Sequence, residues 1–289
     1  MTESEVQKPI LLAVLAHPDD ETFGVGGTLA LYARRGVEVH LICATRGEAG
    51  EVDPSYLDQR HTISEVREGE LCCAARFLGL AGVLFLGYRD SGMPGSPDNQ
   101  NPDSLIQAPL EAVADKIADH LRKIKPQVVI TFDPVGGYRH PDHIAIHQAT
   151  VLAFQQLRQE KISDPAAYAP AKLYFHNMPR TYLRLAVALM RLFGKDPEHF
   201  GKNGDINLAE IANVHFPTHA VINYRQVSRQ RAEAFACHAS QGGQNFNRGF
   251  NRWWQGMRTI DTFTRAYPLP YPKRKERDLF DGISFNGTK

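Results

Sequence analysis

The stretch LAVLAHPDDETFGVGG, Leu12 to Gly27, carries an apolar segment into a histidine, a proline and three consecutive acids before it reaches glycines. Like charges that close repel one another. A chain that ends a buried strand this way has either a helix to cap or a cation to hold. The apolar part, ILLAVLAH at residues 10–17, has the near-continuous hydrophobic character of a strand buried on both faces of a parallel sheet. Three more such runs follow: VEVHLICAT at 37–45, VLFLG at 83–87 and QVVITFD at 127–133.

Helical patterns separate them, at 26–35, 56–78 and 104–123, closed by Gly36, Gly79 and Pro126. Basic residues followed by Gly or Pro are helix stop signals. A fourth helix starts within RHPDHIAIHQATVLAFQQL. This alternation predicts an α/β fold, a mostly parallel sheet with right-handed crossovers. KLYFHNMP and AVINY predict further strands, and RQVSRQRAEAFACHAS a helix reaching His238. MPGSPDNQNPDS reads as an exposed excursion and HFGKNGDINLAE as loop. No repeat, low-complexity tract or clear linker interrupts the chain. One domain is expected over 1–289, with a core at 10–240 and a partly solvated tail at 265–289.

The composition narrows the function. With 33 basic against 32 acidic residues the chain is near neutral, which argues against a dedicated nucleic-acid or anionic-membrane surface. The polar start MTESEVQKPI reads as no secretory signal. No run approaches the roughly 20 apolar residues that span a bilayer; Tyr182–Phe193 is broken by Arg184 and Arg191. Cys43, Cys72, Cys73 and Cys237 form no C-x-x-C pair and read as reduced core residues, pointing to the cytoplasm.

In parallel sheets ligands bind beyond the carboxyl ends of the strands. Here those ends lead into HPDDE, TRGEAGE, GYRDSGM and DPVGGYRHPDH. His17 and Asp20 lie three apart at one strand-to-helix junction, His140 and His143 three apart at another. Two imidazoles and a carboxylate with open positions left over are what a catalytic Zn²⁺ takes. A divalent cation also makes adjacent carboxylates tolerable. Asp19 is then placed to act as general base and His140 to donate to an oxyanion or a leaving amine. The plainer reading is that Asp19, Asp20, His140 and Asp142 only cap helices, which Asp does well. Two His-Pro-Asp segments at two junctions on one rim favour the metal.

Together AHPDDE, TRGEAGE, RDSGM and GGYRHPDH resemble, in order and spacing, the PIG-L/LmbE-like family of zinc-dependent N-acetylglucosaminyl deacetylases over roughly residues 11–150, and CHASQ at 237–241 resembles its C-terminal His-x-Ser/Thr-Gln element. The resemblance implies a Rossmann-like three-layer sandwich with the active site at the carboxyl ends of the strands. It implies Zn²⁺ held by His17, Asp20 and His143, with Asp19 as general base. His140 and Tyr138 would stabilise the oxyanion, and Arg67 and Asp90 would hold substrate hydroxyls. The implied partner is a small N-acetylated sugar or glycoside, or a larger sugar-thiol conjugate amide.

Plainer roles stand beside these. Arg67 is also a helix residue suited to a salt bridge, Asp90 half of an ion pair with Arg89, and Tyr138 a packing residue. His238 and Gln241 read as braces near the site; His61, His147, His176, His215 and His219 as structural histidines; Trp253 and Trp254 as core. Fe²⁺ suits the same ligand types, so ligand chemistry leaves both metals open. An Fe(II) oxygenase is disfavoured by the His-x-x-Asp spacing on an α/β pattern. A nucleotide- or sugar-binding module without catalysis is disfavoured too: GVGGT lacks the G-x-G-x-x-G spacing, and acids precede it where an anion would sit.

Overall fold

The strand β1 (Ile10–Leu15) sits inside a seven-stranded sheet, between β2 (Glu38–Cys43) and β4 (Val128–Phe132). In this computed structural model the described residues are 8–57, 62–177, 180–199, 207–243, 259–270 and 274–285. The sheet order is β3-β2-β1-β4-β5-β7-β6, with β3 at Gly82–Phe85, β5 at Lys172–Asn177, β6 at Ala220–Asn223 and β7 at Ile260–Tyr267. Strands β1 to β5 are mutually parallel, and β7 runs antiparallel to both β5 and β6. The expected α/β fold with a mostly parallel sheet is the observed one. Leu11 to Leu15 and Val128 to Ile130 are buried because helices cover both faces.

Chain order doubles back at β1. From there the chain moves outward through α1 (Gly26–Arg34), β2, α2 (Ile63–Leu78) and β3, then returns through α3 (Leu110–Ile124) to β4 on the other side of β1. Right-handed crossovers in opposite directions put their helices on opposite faces. Their reversal opens a crevice between the carboxyl ends of β1 and β4. HPDDE follows β1, and HPDH follows β4 through α4 (Gly136–Arg139) into α5 (Pro141–Ser163). The two motifs therefore face each other by topology.

Local chemistry sets the helix boundaries. α2 starts at Ile63 rather than near residue 56 because Thr62 and Glu65 form a capping box, Thr62 N donating to Glu65 Oε2 at 2.7 Å and Glu65 N to Thr62 Oγ1 at 3.3 Å. α3 starts after Pro109, Leu105–Gln107 forming a separate 3-10 turn. Two short helices lie where no helix is expected from the sequence, α6 (Arg180–Leu192) and α7 (Leu208–Asn213). The expected helix reaching His238 is α8 (Ser228–Cys237), packed beside α2.

The segment read as a partly solvated tail, 265–289, mixes exposed positions such as Lys275 and Arg277 with buried ones that close the fold: β7, which overlaps its start, is an inner strand, and Leu279 is fully buried. Glu276 accepts hydrogen bonds from Lys172 Nζ at 2.8 Å, Tyr174 OH at 2.7 Å and Arg265 Nη1 at 2.7 Å, and Leu279 N donates to Tyr32 OH at 2.6 Å. The cysteines are not all reduced core residues. Cys73 and Cys237 form a disulfide that ties α2 to α8 across 164 residues, and Cys72 is exposed; only Cys43 is the buried free thiol expected. Helix packing brings this pair together, which no local pattern reveals, and the bridge removes the argument from thiols to a reducing compartment. No described helix is long and apolar enough to cross a membrane.

Candidate active site

The three acids after β1 each have their own nitrogen partner. Asp19 Oδ2 accepts from Arg67 Nη2 at 3.1 Å, Asp20 Oδ1 lies 3.2 Å from His143 Nε2, and Glu21 Oε1 lies 2.6 Å from His238 Nε2. A cap explains little here: Asp20 makes no side-chain cap bond to the π-helical turn Glu21–Val25 that follows.

The backbone at Asp19 has φ 120°, a region L-residues rarely adopt and which costs ~1–3 kcal/mol. Surrounding bonds hold it there. Asp19 N donates to Glu21 Oε2 at 2.9 Å, and Asp19 O accepts from Thr22 N at 3.0 Å and Phe23 N at 2.9 Å. Arg67 Nη2 also reaches Pro18 O at 2.7 Å, and its Nη1 reaches Gly47 O at 2.9 Å. A Cβ at Gly47 would fall 2.1 Å from Arg67 Nη1, so the glycine of TRGEAGE makes room for this guanidinium.

Hydrogen bonds decide the histidine tautomers. His17 Nε2 lies 3.1 Å from Asp142 Oδ2, a carboxylate oxygen that also accepts from Ser91 N at 2.9 Å, so His17 Nε2 carries a proton. His143 Nδ1 lies 3.2 Å from Gly136 O, so it too is a donor. A Cβ at Gly136, φ 64°, would meet His143 Cβ at 2.8 Å. His17 Nδ1 and His143 Nε2 are left facing one another at 3.2 Å, with Asp20 oxygens 3.5 and 3.2 Å away. Two imidazole nitrogens and a carboxylate converging on one point are a donor set that fits a divalent cation. His17 also meets a second grouping, Asp90 and Asp142, on its Nε2 side. That nitrogen is committed to Asp142, so the His143–Asp20 side is the one able to take a metal. Without a cation, burial disfavours the charged form of His17, yet Asp90, Asp142 and Asp20 hold its pKa well above the ordinary value. A metal there displaces that proton.

His140 does both things that its sequence context suggests. Its Nδ1 accepts from Asp142 N at 3.2 Å, capping α5, so in the neutral ring Nε2 keeps a proton to donate. Burial, then His17 and His143, push its pKa well below the ordinary value, keeping it neutral. Its ring lies 4.5 Å from His17 and 5.0 Å from His143. Tyr138 sits in the kinked α4, its ring 5.0 Å from that of His143 and 5.9 Å from His140. Asp133 Oδ1 anchors that loop through Val135 N at 3.1 Å and Gly137 N at 3.0 Å. Burial raises the Tyr138 phenol, which stays a donor.

Asp19 is pushed up to about 6, chiefly by burial and against the pull of Arg67. Asp20 is driven well below the carboxylate range because His143 and His17 outweigh its burial. Asp90 is lowered, its burial outweighed by His17 and by the Gly92 amide, which donates at 2.8 Å. Arg67, Asp90, Tyr138 and His140 join His17 and Asp19 around a cavity of about 660 Å³. All eight residues singled out in the sequence therefore meet at one place.

Three supporting residues carry more than the sequence discloses. Asp142 fixes the His17 tautomer, and the fully buried Glu21 and His238 tie the Asp19 turn to the end of α8. Gln241 Nε2 donates to Glu51 O at 3.2 Å and lines the cavity. Of the histidines read as structural, His147 bonds Phe132 O at 2.8 Å, His219 accepts from Arg265 N at 3.0 Å, and His215 meets Arg184. His176 instead lines a second cavity beside the site. His61, Trp253 and Trp254 lie outside the described residues.

Known proteins are similar to this chain in sequence and fold. The family model PIG-L, described as GlcNAc-PI de-N-acetylase, matches residues 12–154. A 1D-myo-inositol 2-acetamido-2-deoxy-alpha-D-glucopyranoside deacetylase of Acidothermus cellulolyticus is 37% identical over 286 residues, 94% of each chain. A protein of the same name from Thermomonospora curvata is 42% identical over 195 residues, which cover 63% of this chain and 64% of that relative, just under two thirds of its length. Among solved structures, N,N'-diacetylchitobiose deacetylase from Pyrococcus horikoshii aligns with 93% of this chain and 92% of its own at TM-score 0.57 and 19% identity. GalB, the 4-carboxy-2-hydroxymuconate hydratase from Pseudomonas putida, aligns with 92% of this chain and 99% of its own at TM-score 0.61 and 19% identity. A fold that carries both a deacetylase and a hydratase does not choose the reaction; near-full-length identity to the Acidothermus protein assigns the family. The chain belongs to the PIG-L/LmbE-like family of deacetylases.

Proposed function

We propose that the protein is a zinc-dependent hydrolase that removes the acetyl group from the nitrogen of an N-acetylglucosamine-type glycoside. The observation that carries this reading is the placement of Asp19, a largely buried carboxylate with its pKa pushed up to about 6, beside the His17–Asp20–His143 cluster on the large cavity that Arg67, Asp90 and His140 also line. Two of its relatives bear the name of a deacetylase for an acetamido-glucopyranoside of inositol, and a sugar joined to a polyol is the substrate proposed for this chain.

His17, Asp20 and His143 would hold the metal, which when bound supplies a Lewis acid for the amide carbonyl and makes a water more acidic. Arg67 and Asp90 orient sugar hydroxyls in the cavity. Asp19 takes the proton that water loses as its oxygen bonds to the acyl carbon. His140 Nε2–H and the Tyr138 hydroxyl donate to the oxyanion developing on the former carbonyl. The carbon–nitrogen bond then breaks, and the amine leaves with the proton held by Asp19, giving acetate and a free amino sugar. Asp19 suits that shuttle because its pKa lies near the working range. The depressed His140 suits a neutral donor and not an acid.

The test is acetate release from N-acetylglucosaminyl-inositol and from N-acetylglucosamine, before and after chelation and after restoring Zn²⁺ or Fe²⁺ separately. Chelation should abolish turnover, and Zn²⁺ should restore it. Restoration by Fe²⁺ alone would reassign the metal; no acetate with either metal would remove the hydrolase reading.

A further inference from the structure

The Cys73–Cys237 bridge lies behind the site, on helices that support it. α8 runs back along α2: Gln230 Nε2 at its start donates to Phe77 O at 2.6 Å, near the end of α2, and Cys237, its last residue, is bridged to the middle of α2. Arg67, Glu70 and Cys73 follow one another at three-residue spacing on α2, so each neighbours the next along the helix. Arg67 holds the Asp19 turn. Glu70 Oε1 accepts from Ser240 N and Oε2 from Ser240 Oγ, both at 2.7 Å. Cys73 holds Cys237.

Two lines lead from this end of α8 to the substrate cavity. Gln241 Nε2 donates to Ser240 Oγ and to Glu51 O, each at 3.2 Å, and Gln241 and Glu51 both line the cavity. His238, next to Cys237, reaches Glu21 behind the Asp19 turn. The His238 line is fully buried and has its own partner, whereas the Gln241 line is part-buried and depends on how Ser240 is held. Cys73 and Cys237 are half-buried, so a small solute can reach their sulfurs. Accessible bridges are the labile ones.

We propose that the Cys73–Cys237 bridge is a redox switch on substrate binding, opened by a low-molecular-weight thiol. That the ligand it controls is a sugar amide rests on the hydrolase reading above. A thiolate bonds to one bridge sulfur, the sulfur–sulfur bond breaks, and the other cysteine leaves as a thiolate that takes a proton. A second thiol then displaces the first from the mixed disulfide. Both cysteines end reduced, and the two small thiols leave as one disulfide. Cys72 is exposed and free, but successive helix positions point to different sides, so it takes no part in the exchange. Opening leaves the start of α8 tied through Gln230 and its end dependent on Glu70. The turn at 240–243 then loosens and Gln241 leaves the cavity wall, while the buried His238–Glu21 pair keeps Asp19 in place. Binding weakens and the chemical step does not.

The experiment first equilibrates the full chain in cysteine–cystine buffers, alkylates the free thiols and identifies them by peptide mass. Cys73 and Cys237 should become alkylated together, with the circular dichroism of the folded protein retained. Thiolates bind zinc and iron, so kinetics use a phosphine, which takes its oxygen from water as it reduces the bridge. The metal-loaded enzyme is compared before and after that treatment, beside the Cys73→Ser/Cys237→Ser variant. KM for N-acetylglucosaminyl-inositol should rise about three- to tenfold, the net worth of one hydrogen bond, with kcat changed less than about twofold. Amide hydrogen exchange at 240–243 should quicken about tenfold on reduction, and Cys72→Ser should leave every response intact. A bridge that opens only in denaturant, a KM that reduction leaves unchanged, or a response lost in Cys72→Ser would overturn the switch and leave the deacetylase standing. No acetate from the oxidised, metal-loaded enzyme would instead strike the hydrolase reading; the exchange rates at 240–243 would then decide the switch, unchanged rates overturning it and faster ones upholding control of that wall by the bridge.

Discussion

His238 Nε2 and Glu21 Oε1 meet at 2.6 Å, 217 residues apart, with neither side chain exposed to solvent. Through Glu21 Oε2 and the Asp19 amide, this pair braces the strained turn that carries the proposed base. Burial disfavours a charged His238, but Glu21 raises its pKa above the ordinary value. Removing one partner of a buried pair costs about 3–5 kcal/mol. His238→Ala should therefore lower the thermal midpoint markedly, and turnover at low temperature should fall as well. A calorimetric melt of the variant within a degree of wild type would show that the contact is slack.

Metal retention separates the roles of neighbouring residues. Asp19→Ala should keep the metal and lose about 10²–10⁴ of kcat, as expected for removal of a general base. His143→Ala should lose the metal itself. Elemental analysis of both purified variants, alongside acetate release, checks the pair. Near-normal kcat in Asp19→Ala would discard the base assignment.

The direction of the pH response follows from Asp19. A base works when ionised, and this carboxyl is raised from an ordinary value near 3.8 to about 6. kcat/KM should rise with pH through about 6 and level off above it. Arg67 pulls that value down, so in Arg67→Gln the rising limb should move to higher pH. A limb that stays in place, measured across pH 4–9 in one set of buffers, would uncouple Arg67 from Asp19.

Asp142 should act on metal affinity through His17. Asp142→Asn keeps the side-chain shape and loses the charge that holds the His17 Nε2 proton. Partners of this kind are worth about 10–100-fold in affinity. Competition against a metal chelator reads that loss without any turnover.

Much of this was legible along the chain, and the exceptions have physical causes. The strands β1, β2 and β4 stand out as apolar runs because they lie inside the sheet, the half-buried edge strand β3 is apolar as well, and every proposed site residue falls beside one of their carboxyl ends except Arg67, on α2. The sequence conceals β7 because its inward positions include Asp261 and Arg265, both buried, which break the apolar alternation. Asp261 faces inward to accept from Thr28 N at 3.0 Å and Thr28 Oγ1 at 2.7 Å at the start of α1. A partner 233 residues away leaves no local pattern. The Cys73–Cys237 bridge and the His238–Glu21 contact are hidden for the same reason. Asp142 was visible as a helix-capping type, and only the position of His17 reveals its second use.

The place of β7 between β5 and β6 has a consequence for how the molecule is made. Synthesis delivers β6 before the strand that joins it to the rest of the sheet. Until residue 267 has left the ribosome, β6 has no neighbour and Thr28 at the head of α1 lacks its carboxylate. The metal-ligand motifs emerge early, yet the frame around them closes last. A nascent chain stalled before β7 holds every catalytic side chain proposed above on a sheet whose far edge is still unbuilt.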